Sequence, residues 1–452
     1  MPQKPIPTAP QGVMFSRTPN EGQAMVSEAG TELHTEEYNW AGNLRYAAAE
    51  VREPRTVAEL QDLVAGASRL RALGSRHSFN RIADTTGALV SLEHLAPAIE
   101  VNSANMTVTV SGGTRYGTLA AELQRQGYAL HNLASLPHIS VAGAVATATH
   151  GSGDRNGNLA TAVAGLELVT ADGGILTARR GETPDFDGMV VGLGALGVAS
   201  SLTLDIEPAF PVVQTVFDNL SWDQVLENFD DVTSSAYSVS LFTDWSGDRI
   251  GQAWLKARAE EVGAAGRASF YGGTPATEAR HPIAGVSGST CTQQLGVPGP
   301  WSDRLAHFRM EFTPSKGDEL QSEYLVPREH AVDAIQTMRR LSHLLTPLLL
   351  VSEIRTMAAD SLWLSPNYGK DSIGLHLTWR QDQPAVEAVL PVIEAELAPF
   401  GARPHWGKLF DADASRLAPL YPRFADFKAL AGRLDPEGKF RNGFLDTKVF
   451  GS

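Results

Sequence analysis

Cysteine is almost absent from this chain, since its 452 residues include only Cys291. One thiol cannot form an intramolecular disulfide, and it cannot supply a thiolate-rich metal site. The histidines His131, His138 and His150 lack a spacing typical of metal ligands, and there is no H-E-x-x-H motif. We therefore expect neither a disulfide framework nor a bound metal.

Long apolar runs are also missing. The apolar stretch at residues 344–351 is interrupted by Thr346 and Pro347 and is too short to span a bilayer. Residues 1–35 contain scattered prolines, no apolar core segment and no twin-arginine pair. This composition predicts a flexible N-terminal tail and not a signal peptide, so we expect a cytoplasmic protein.

Positive charge is scarce relative to negative charge. Lys and Arg total 37 against 51 Asp and Glu, which gives a net charge of -14 at pH 7. Phosphate backbones and anionic lipids are repelled on average, so we expect neither nucleic acid nor a membrane as a partner. A chain about three times the ~150-residue prior for one domain is expected to contain more than one domain.

The secondary-structure pattern changes near Pro208. Before it, short strands at residues 70–73 and 107–111 alternate with helices, one beginning at a Thr56-x-x-Glu59 capping box and one at residues 116–126. After it, longer strands are predicted at residues 238–243, 320–326, 349–356 and 372–379. The pattern indicates two different kinds of domain.

We interpret the chain as an α+β protein with two domains. The tail, residues 1–35, precedes a first domain at residues 36–208. Residues 209–403 are predicted to form a large antiparallel sheet covered by helices. Residues 404–452 are rich in aromatic residues, Gly and Pro, and we expect this segment to return to the first domain.

A glycine-containing turn follows a predicted strand at residues 74–80. Such a turn points successive backbone N–H groups in one direction, which suits a pyrophosphate. His77 lies within it and could act as a nucleophile toward a cofactor, because a neutral imidazole is basic. The alternative is a surface turn with an incidental histidine.

Residues 135–153 carry almost no large or charged side chain. Small residues let the backbone approach a bulky planar group, and Ser and Thr supply hydroxyl groups, so this pattern favours a cofactor cradle over a core helix. Residues 192–197 match G-x-G-x-x-G, the fingerprint of nicotinamide-binding folds. The next predicted strand begins near Ser201, which leaves no room for the crossover helix that this fingerprint requires.

The second domain combines charged residues with predicted strands. Glu353 and Arg355 share one face of a strand, and His376 and Thr378 share one face of another. Lys408 lies in a loop between bulky residues. If these side chains converge, they form a site for a polyhydroxylated ligand with one reacting oxygen. The alternative is a salt-bridged, solvated sheet face.

Several of these motifs resemble one flavoprotein family. Residues 74–80, 134–143 and 149–153 resemble the FAD domain of the vanillyl-alcohol-oxidase flavoproteins. Residues 353–355 and 405–408 resemble the sugar- and polyol-oxidising branch of that family, and in particular the bacterial alditol oxidases. The resemblance runs from about residue 39 to residue 444 and so covers nearly the whole folded chain.

The resemblance implies a PCMH-type FAD-binding domain with FAD attached covalently through its 8α-methyl group to His77. It assigns cofactor contacts to Gly74, Ser75, Arg76, Ser78, Ser135, Ser140, Gly143, Thr147, Ala148, Thr149, His150, Val198 and His405. It assigns substrate contacts to Ser135, Glu353, Arg355, Thr378 and Lys408, with His376 close to the reacting carbon. Two features depart from the family: Arg76 stands where the loop often has a second Gly, and the tail has no counterpart.

The implied reaction is oxidation of the terminal hydroxyl of an alditol, such as xylitol or sorbitol, to the aldose. We expect the protein to be a monomer. Dioxygen is the implied electron acceptor and gives hydrogen peroxide. We expect Arg355 and Lys408 to stabilise the developing alkoxide, with His376 as the first candidate proton acceptor and Lys408 as the second. The nearest alternative is a sugar-1,4-lactone oxidase or dehydrogenase of the same family. A nicotinamide dehydrogenase and a non-catalytic polyol-binding protein are alternatives from other classes.

Overall fold

The computed structural model describes residues 37–96, 98–261, 268–312 and 319–451 of the chain. The predicted N-terminal tail, residues 1–35, lies outside this described part. The described residues from Tyr38 onward form one compact unit. Within the described ranges, no helix combines the length and the apolar character that a membrane span requires.

A small parallel sheet begins the fold. Its strands are β1 (Glu50–Arg52), β2 (Leu70–Leu73) and β3 (Ala88–Ser91), with β3 in the middle. Helix α1 (Val57–Gly66) connects the first two strands and begins at the predicted capping box, where Thr56 Oγ1 accepts a hydrogen bond from the Glu59 N–H at 3.1 Å. Strand β2 ends directly before the loop at residues 74–80, so this sheet holds the start of that loop.

The next sheet has five antiparallel strands. The strands of this region are β4 (Ile99–Asn102), β5 (Thr107–Ser111), β6 (Tyr128–Ala129), β7 (Val163–Val169), β8 (Ile175–Arg179), β9 (Val198–Asp205) and β10 (Glu207–Pro208). The order in the sheet is β4-β5-β9-β7-β8, and β6 pairs with β10. Strand β9 begins immediately after Gly197, which confirms that no crossover helix follows residues 192–197.

Short helices accompany these strands. They are α2 (Tyr116–Gln126), α3 (Val141–Ala146) and α4 (Phe186–Val190). Helix α3 lies within the run of small residues. Its N-cap residue, Ser140, has an extended backbone. The run is therefore part helix and part loop, and its small side chains leave room beside it.

The prediction of a large antiparallel sheet is confirmed. Its strands are β11 (Pro211–Ser221), β12 (Ser238–Thr243), β13 (Arg249–Arg258), β14 (Thr274–Pro275), β15 (Gly299–Pro300), β16 (Glu319–Pro327), β17 (Leu349–Met357), β18 (Ser372–Arg380) and β19 (Arg403–Pro404). The order is β14-β11-β13-β12-β17-β18-β16-β19, with β15 paired to β11. The helices of this region are α5 (Trp222–Glu227), α6 (Phe229–Thr233), α7 (Ala331–Arg340), α8 (Ser342–Leu345) and α9 (Gln383–Leu397).

The register of the central strands brings three ionisable residues side by side. His376 of β18 lies opposite Glu353 of β17 on one side and opposite Glu323 of β16 on the other. Side chains alternate between the faces of a strand, so the apolar residues of β18 point away from these three. Those apolar residues, Ile373, Leu375, Leu377 and Trp379, are buried in the main core. One face of the sheet therefore builds the core, and the other carries a polar cluster.

The C-terminal segment contacts the loop that contains His77. It includes α10 (Ala414–Leu417), α11 (Phe424–Leu434) and α12 (Gly443–Leu445). The Phe79 N–H donates to Gly407 O at 2.8 Å, and Asn80 Nδ2 donates to the carbonyl of Lys408 at 2.6 Å. These bonds hold Lys408 between the loop at residues 74–80 and the large sheet.

Candidate active site

One continuous cavity joins the two regions that the sequence singled out. One end is lined by residues 74–78, 142–147 and 192–194. The other end is lined by Glu353, Arg355, His376, Thr378 and Lys408. Every predicted cofactor- or substrate-binding residue lines this cavity except Ala148 and Val198.

Little space separates the loop at residues 74–78 from helix α3. A Cβ atom at Gly74 would lie 2.6 Å from Ser140 Oγ, and one at Gly143 would lie 2.7 Å from the same atom. Ser75 Oγ accepts a hydrogen bond from the Ser140 N–H at 3.0 Å. The backbones can therefore approach each other and a ligand closely. Arg76 has a φ of 64°, the left-handed conformation that glycine adopts without strain, which accounts for the family's preference for Gly at this position.

His77 is neutral and has an unused ring nitrogen. Its ring stacks on Trp40, with centroids 5.1 Å apart. Its Nδ1 is buried and has no hydrogen-bond partner among the described residues. Burial lowers the pKa of His77 to about 4, so the imidazole is uncharged at pH 7. These features argue against an incidental surface histidine, and the role of His77 toward a cofactor stays a prediction.

Ala148 and Val198 are buried but do not line the cavity. Ala148 has a φ of 53°, while its neighbours Thr147 and Thr149 line the cavity. Val198 packs in a separate apolar cluster. The assignment of these two residues to cofactor binding stays a prediction.

Arg355 joins Glu353 to Ser135. Its Nη2 donates to Ser135 Oγ at 2.9 Å and to Glu353 Oε2. Arg355 Nε is buried without a partner among the described residues. Burial by itself would raise the pKa of Glu353, but Arg355 and His307 beside it hold that pKa well below its usual range. The carboxylate is therefore ionised and paired at neutral pH.

Lys408 is the centre of a second polar group. Its Nζ lies 2.5 Å from Glu323 Oε2 and 2.8 Å from His376 Nδ1, and His376 Nε2 lies 3.0 Å from Thr378 Oγ1. Burial lowers the pKa of Lys408 despite Glu323, and burial together with Lys408 lowers the pKa of His376 to about 4. Burial alone would raise the pKa of Glu323, but Lys408 and His150 hold it well below its usual range.

The polar face of the sheet is not solvated. Glu353 and Arg355 are 3% and 7% exposed, and His376 and Thr378 are 5% and 6% exposed. The alternative of a solvated, salt-bridged face is therefore wrong. Burying ionised groups costs free energy unless they are paired, and this cluster provides those pairs.

The buried residues of this region that were not predicted include Glu323, His307 and Lys256. Glu323 lies in a predicted strand, and a carboxylate among the apolar residues of that strand could have indicated a functional residue. Its side chain also faces His150, with His150 Nε2 3.1 Å from Glu323 Oε1 and out of line for a hydrogen bond. His307 lies in a segment without periodicity and gave no signal.

The wall of the cavity fits FAD by its chemistry. The loop at residues 74–78 offers close backbone approach, the small residues near Ser140 leave room for a flat ring, and His77 offers a free imidazole nitrogen. Within the described ranges, no three His, Cys, Asp or Glu side chains are grouped so that they could hold a metal ion. The cavity thus combines a wall that suits an organic cofactor with a buried polar wall.

Known proteins match this chain at the level of sequence. The family described as "FAD binding domain" matches residues 48–179, and that described as "D-arabinono-1,4-lactone oxidase" matches residues 313–448. An alditol oxidase from a Streptomyces species is 50% identical over 413 residues, which are 90% of this chain and 97% of that protein. An L-gulono-1,4-lactone dehydrogenase from Mycobacterium tuberculosis is 30% identical over 430 residues, with 90% and 97% covered.

Solved structures match the fold. A cholesterol oxidase from Brevibacterium sterolicum has a TM-score of 0.74 at 15% identity, with 92% of this chain and 96% of that chain covered. Fold and cavity together are those of an FAD-dependent oxidoreductase with a PCMH-type FAD-binding domain. Within this class, the chain belongs to the alditol oxidase family.

Proposed function

We propose that the protein oxidises the terminal hydroxyl group of alditols, such as xylitol and sorbitol, to the aldose. Dioxygen takes up the electrons and forms hydrogen peroxide. The observation that carries this proposal is the buried polar wall of Glu353, Arg355, His376 and Lys408, which lines the same cavity as His77. The 50% identity with an alditol oxidase over 90% of the chain supports the same substrate class.

FAD bound in this cavity supplies the hydride acceptor, and we propose His77 as its covalent attachment point. The support is the buried Nδ1 without a partner on a neutral ring, because only a ring nitrogen with a free lone pair can form such a bond. The backbone of residues 74–78 would hold the pyrophosphate. Ser140, Thr147 and Thr149 would lie along the cofactor.

The polar wall would orient the substrate. Glu353 is an ionised acceptor, Arg355 is a permanent donor, and the hydroxyl groups of Ser135 and Thr378 can do either. An extended polyol presents hydroxyl groups that satisfy all of these at once. Analogues without those hydroxyl groups leave buried polar atoms unpaired, so the site would discriminate against them.

A proton must leave the reacting hydroxyl when the hydride departs, and we propose Lys408 as its acceptor ahead of His376. This reverses the order expected from the sequence. A neutral Lys408 would use two N–H groups on Glu323 and His376 and keep its lone pair for the cavity. His376 Nδ1 is already engaged by Lys408, and burial lowers the pKa of Lys408 in the direction a base requires. Arg355 would then stabilise the alkoxide.

A sugar-1,4-lactone is the second candidate substrate. The observation that favours it is the match of residues 313–448 to the D-arabinono-1,4-lactone oxidase family, because these residues include most of the polar wall. A lactone has fewer free hydroxyl groups than an alditol, so it would satisfy fewer of the donors and acceptors of the wall.

The deciding experiment follows the flavin absorbance of the purified enzyme without air. Xylitol and sorbitol are expected to bleach it within seconds, while gulono- and galactono-1,4-lactone bleach it far more slowly. Admission of air is then expected to restore the colour with formation of hydrogen peroxide. Bleaching by the lactones alone would replace the proposal with the second candidate, and no bleaching by any of these compounds would refute both.

We also propose that the enzyme works as a cytoplasmic monomer. The acidic net charge of -14 keeps copies apart and is consistent with this state. Light scattering of the purified enzyme tests the monomer, and fractionation of the source cells tests the compartment.

A further inference from the structure

We propose that Lys256 and His307 act as a positioning pair behind Glu353: Lys256 fixes the tautomer of His307, and His307 then holds Glu353 as a hydrogen-bond acceptor for substrate hydroxyl groups. The inference deepens the proposed function and rests on it for the identity of the substrate. Neither residue belongs to the groups described above as substrate- or cofactor-binding. His307 lines the cavity, and Lys256 lies one layer behind it.

Lys256 is surrounded by hydrogen-bond acceptors. This lysine lies in β13 and is 1% exposed. Its Nζ is 2.5 Å from the carbonyl oxygen of Leu305, 2.9 Å from that of Ala306 and 3.0 Å from His307 Nδ1. An ammonium group has three N–H donors and no acceptor, and here it meets three acceptors. Every donor of Lys256 is therefore used.

These contacts decide which nitrogen of His307 carries the proton. Burial lowers the pKa of Lys256 to about 7, but the three acceptors around its Nζ favour the ammonium form. That form donates to Nδ1, which places the proton of the neutral ring on Nε2. That nitrogen lies 2.8 Å from Glu353 Oε1, to which it can then donate. The rings of Phe242 and Trp254 pack edge-on against the imidazole, with centroids 5.7 Å and 5.2 Å away, and keep it in this orientation.

The tautomer of His307 affects the cavity through its hydrogen bond to Glu353. His307 donates to one carboxylate oxygen, and Arg355 donates to the other. Glu353 is thereby fixed and ionised, and each oxygen retains a lone pair for a further donor. A carboxylate held in this way accepts hydrogen bonds and never donates them, so it selects a ligand that offers O–H groups.

A purely structural role for Lys256 explains the arrangement less well. Burying a lysine in its charged form costs free energy, and a core built only for stability would use an apolar side chain at this fully buried position. In this interpretation the function of the pair is to set the state of Glu353. A double-mutant cycle separates the two roles.

The test uses Lys256→Met and His307→Gln, alone and combined, in the flavin-loaded enzyme. The glutamine amide nitrogen can donate to Glu353 without any tautomer to be set. We expect Lys256→Met to raise the dissociation constant for xylitol in anaerobic flavin reduction about 10-fold or more, as for a lost hydrogen bond to a charged group, with the limiting reduction rate within about 3-fold. In the His307→Gln background the same change is expected to have less than a ~3-fold effect.

A second measurement is made on the wild-type enzyme, so it depends neither on the folding of a variant nor on turnover. Nitrogen-15 NMR of the histidine-labelled wild-type enzyme is expected to give the Nε2–H tautomer for His307, with its signal assigned by its absence in His307→Gln or, if that variant is lost, by its contacts to the neighbouring aromatic rings. An Nδ1–H tautomer would overturn the inference. So would an unchanged dissociation constant in Lys256→Met, or an equal increase in both backgrounds. If wild-type flavin is bleached by no polyol or lactone, the proposed function fails, while the tautomer still decides this inference.

Discussion

The side-chain nitrogen of Lys408 lies 2.8 Å from Nδ1 of His376. This contact makes the two residues one unit, because the lone pair of the imidazole is occupied and its other nitrogen faces Thr378. A single hydrogen bond at the wall of the cavity thus joins two residues that lie 32 positions apart in the sequence. A change at either one is expected to alter the other.

Replacement of Lys408 is expected to slow the chemical step. Lys408→Met removes the proposed proton acceptor, which becomes a cation beside the reacting oxygen once it has taken up the proton, so anaerobic flavin reduction by xylitol should slow by about 10²-fold or more. Lys370→Met is the matched control, because Lys370 is an exposed lysine that pairs with Glu329 on the surface. Wild-type reduction rates in Lys408→Met would contradict the role.

Replacement of His77 is expected to release the flavin. In the wild-type enzyme the yellow colour should stay with acid-precipitated protein, whereas in His77→Ala it should pass to the supernatant. The exposed His94 provides the control variant His94→Ala, which should keep its colour in the pellet. A wild-type pellet without colour would contradict covalent attachment but not the binding of FAD.

Replacement of Glu353 is expected to weaken substrate binding. Glu353→Gln keeps the shape of the side chain but removes its charge and half of its acceptor capacity, so the Michaelis constant for xylitol should rise about 10-fold or more. In the wild-type enzyme Arg355 and His307 both donate to the Glu353 carboxylate. Glutamine at this position offers them fewer acceptors. Steady-state kinetics test this expectation, with Glu329→Gln as a surface control. Unchanged kinetics in Glu353→Gln would argue against contact between Glu353 and the substrate.

Local patterns in the sequence were enough to predict much of the fold. The strands at residues 70–73, 107–111 and 238–243 and the helix at residues 116–126 have the predicted bounds. Each combines a clear periodicity with a distinct end signal, so the information lies within a few residues. The alternation of β18 likewise predicted which of its residues share the face of His376.

The rest of the site depends on contacts between distant residues. Glu323 meets Lys408 across 85 positions, and Arg355 meets Ser135 across 220. Strand order decides these meetings, and no local pattern encodes it. The charge on Glu323 was visible in a predicted strand, but its partner was not. The order of His376 and Lys408 as proton acceptors likewise depends on a hydrogen bond that only the fold creates.

Acid is expected to destabilise the enzyme through buried histidines. Burial holds the pKa of His307 and of His376 at about 4, against about 6.5 in the unfolded chain. Because the folded pKa is depressed, these histidines contribute their full stability above pH 6.5 and lose it as the pH falls toward 4. Each lowers the free energy of unfolding by about 1.4 kcal/mol per pH unit in that window, since the unfolded chain binds the proton first.

Urea unfolding between pH 7.5 and 5 measures this slope. Other buried histidines, among them His131 and His405, have lowered pKa values and add to it, so the wild-type slope alone does not identify the two residues. The matched variant is His307→Gln combined with His376→Asn, which removes both titrating rings. Its stability should fall less steeply, by about 3 kcal/mol less per pH unit. Parallel slopes in wild type and variant would mean that His307 and His376 titrate alike in both states and are not held neutral by burial.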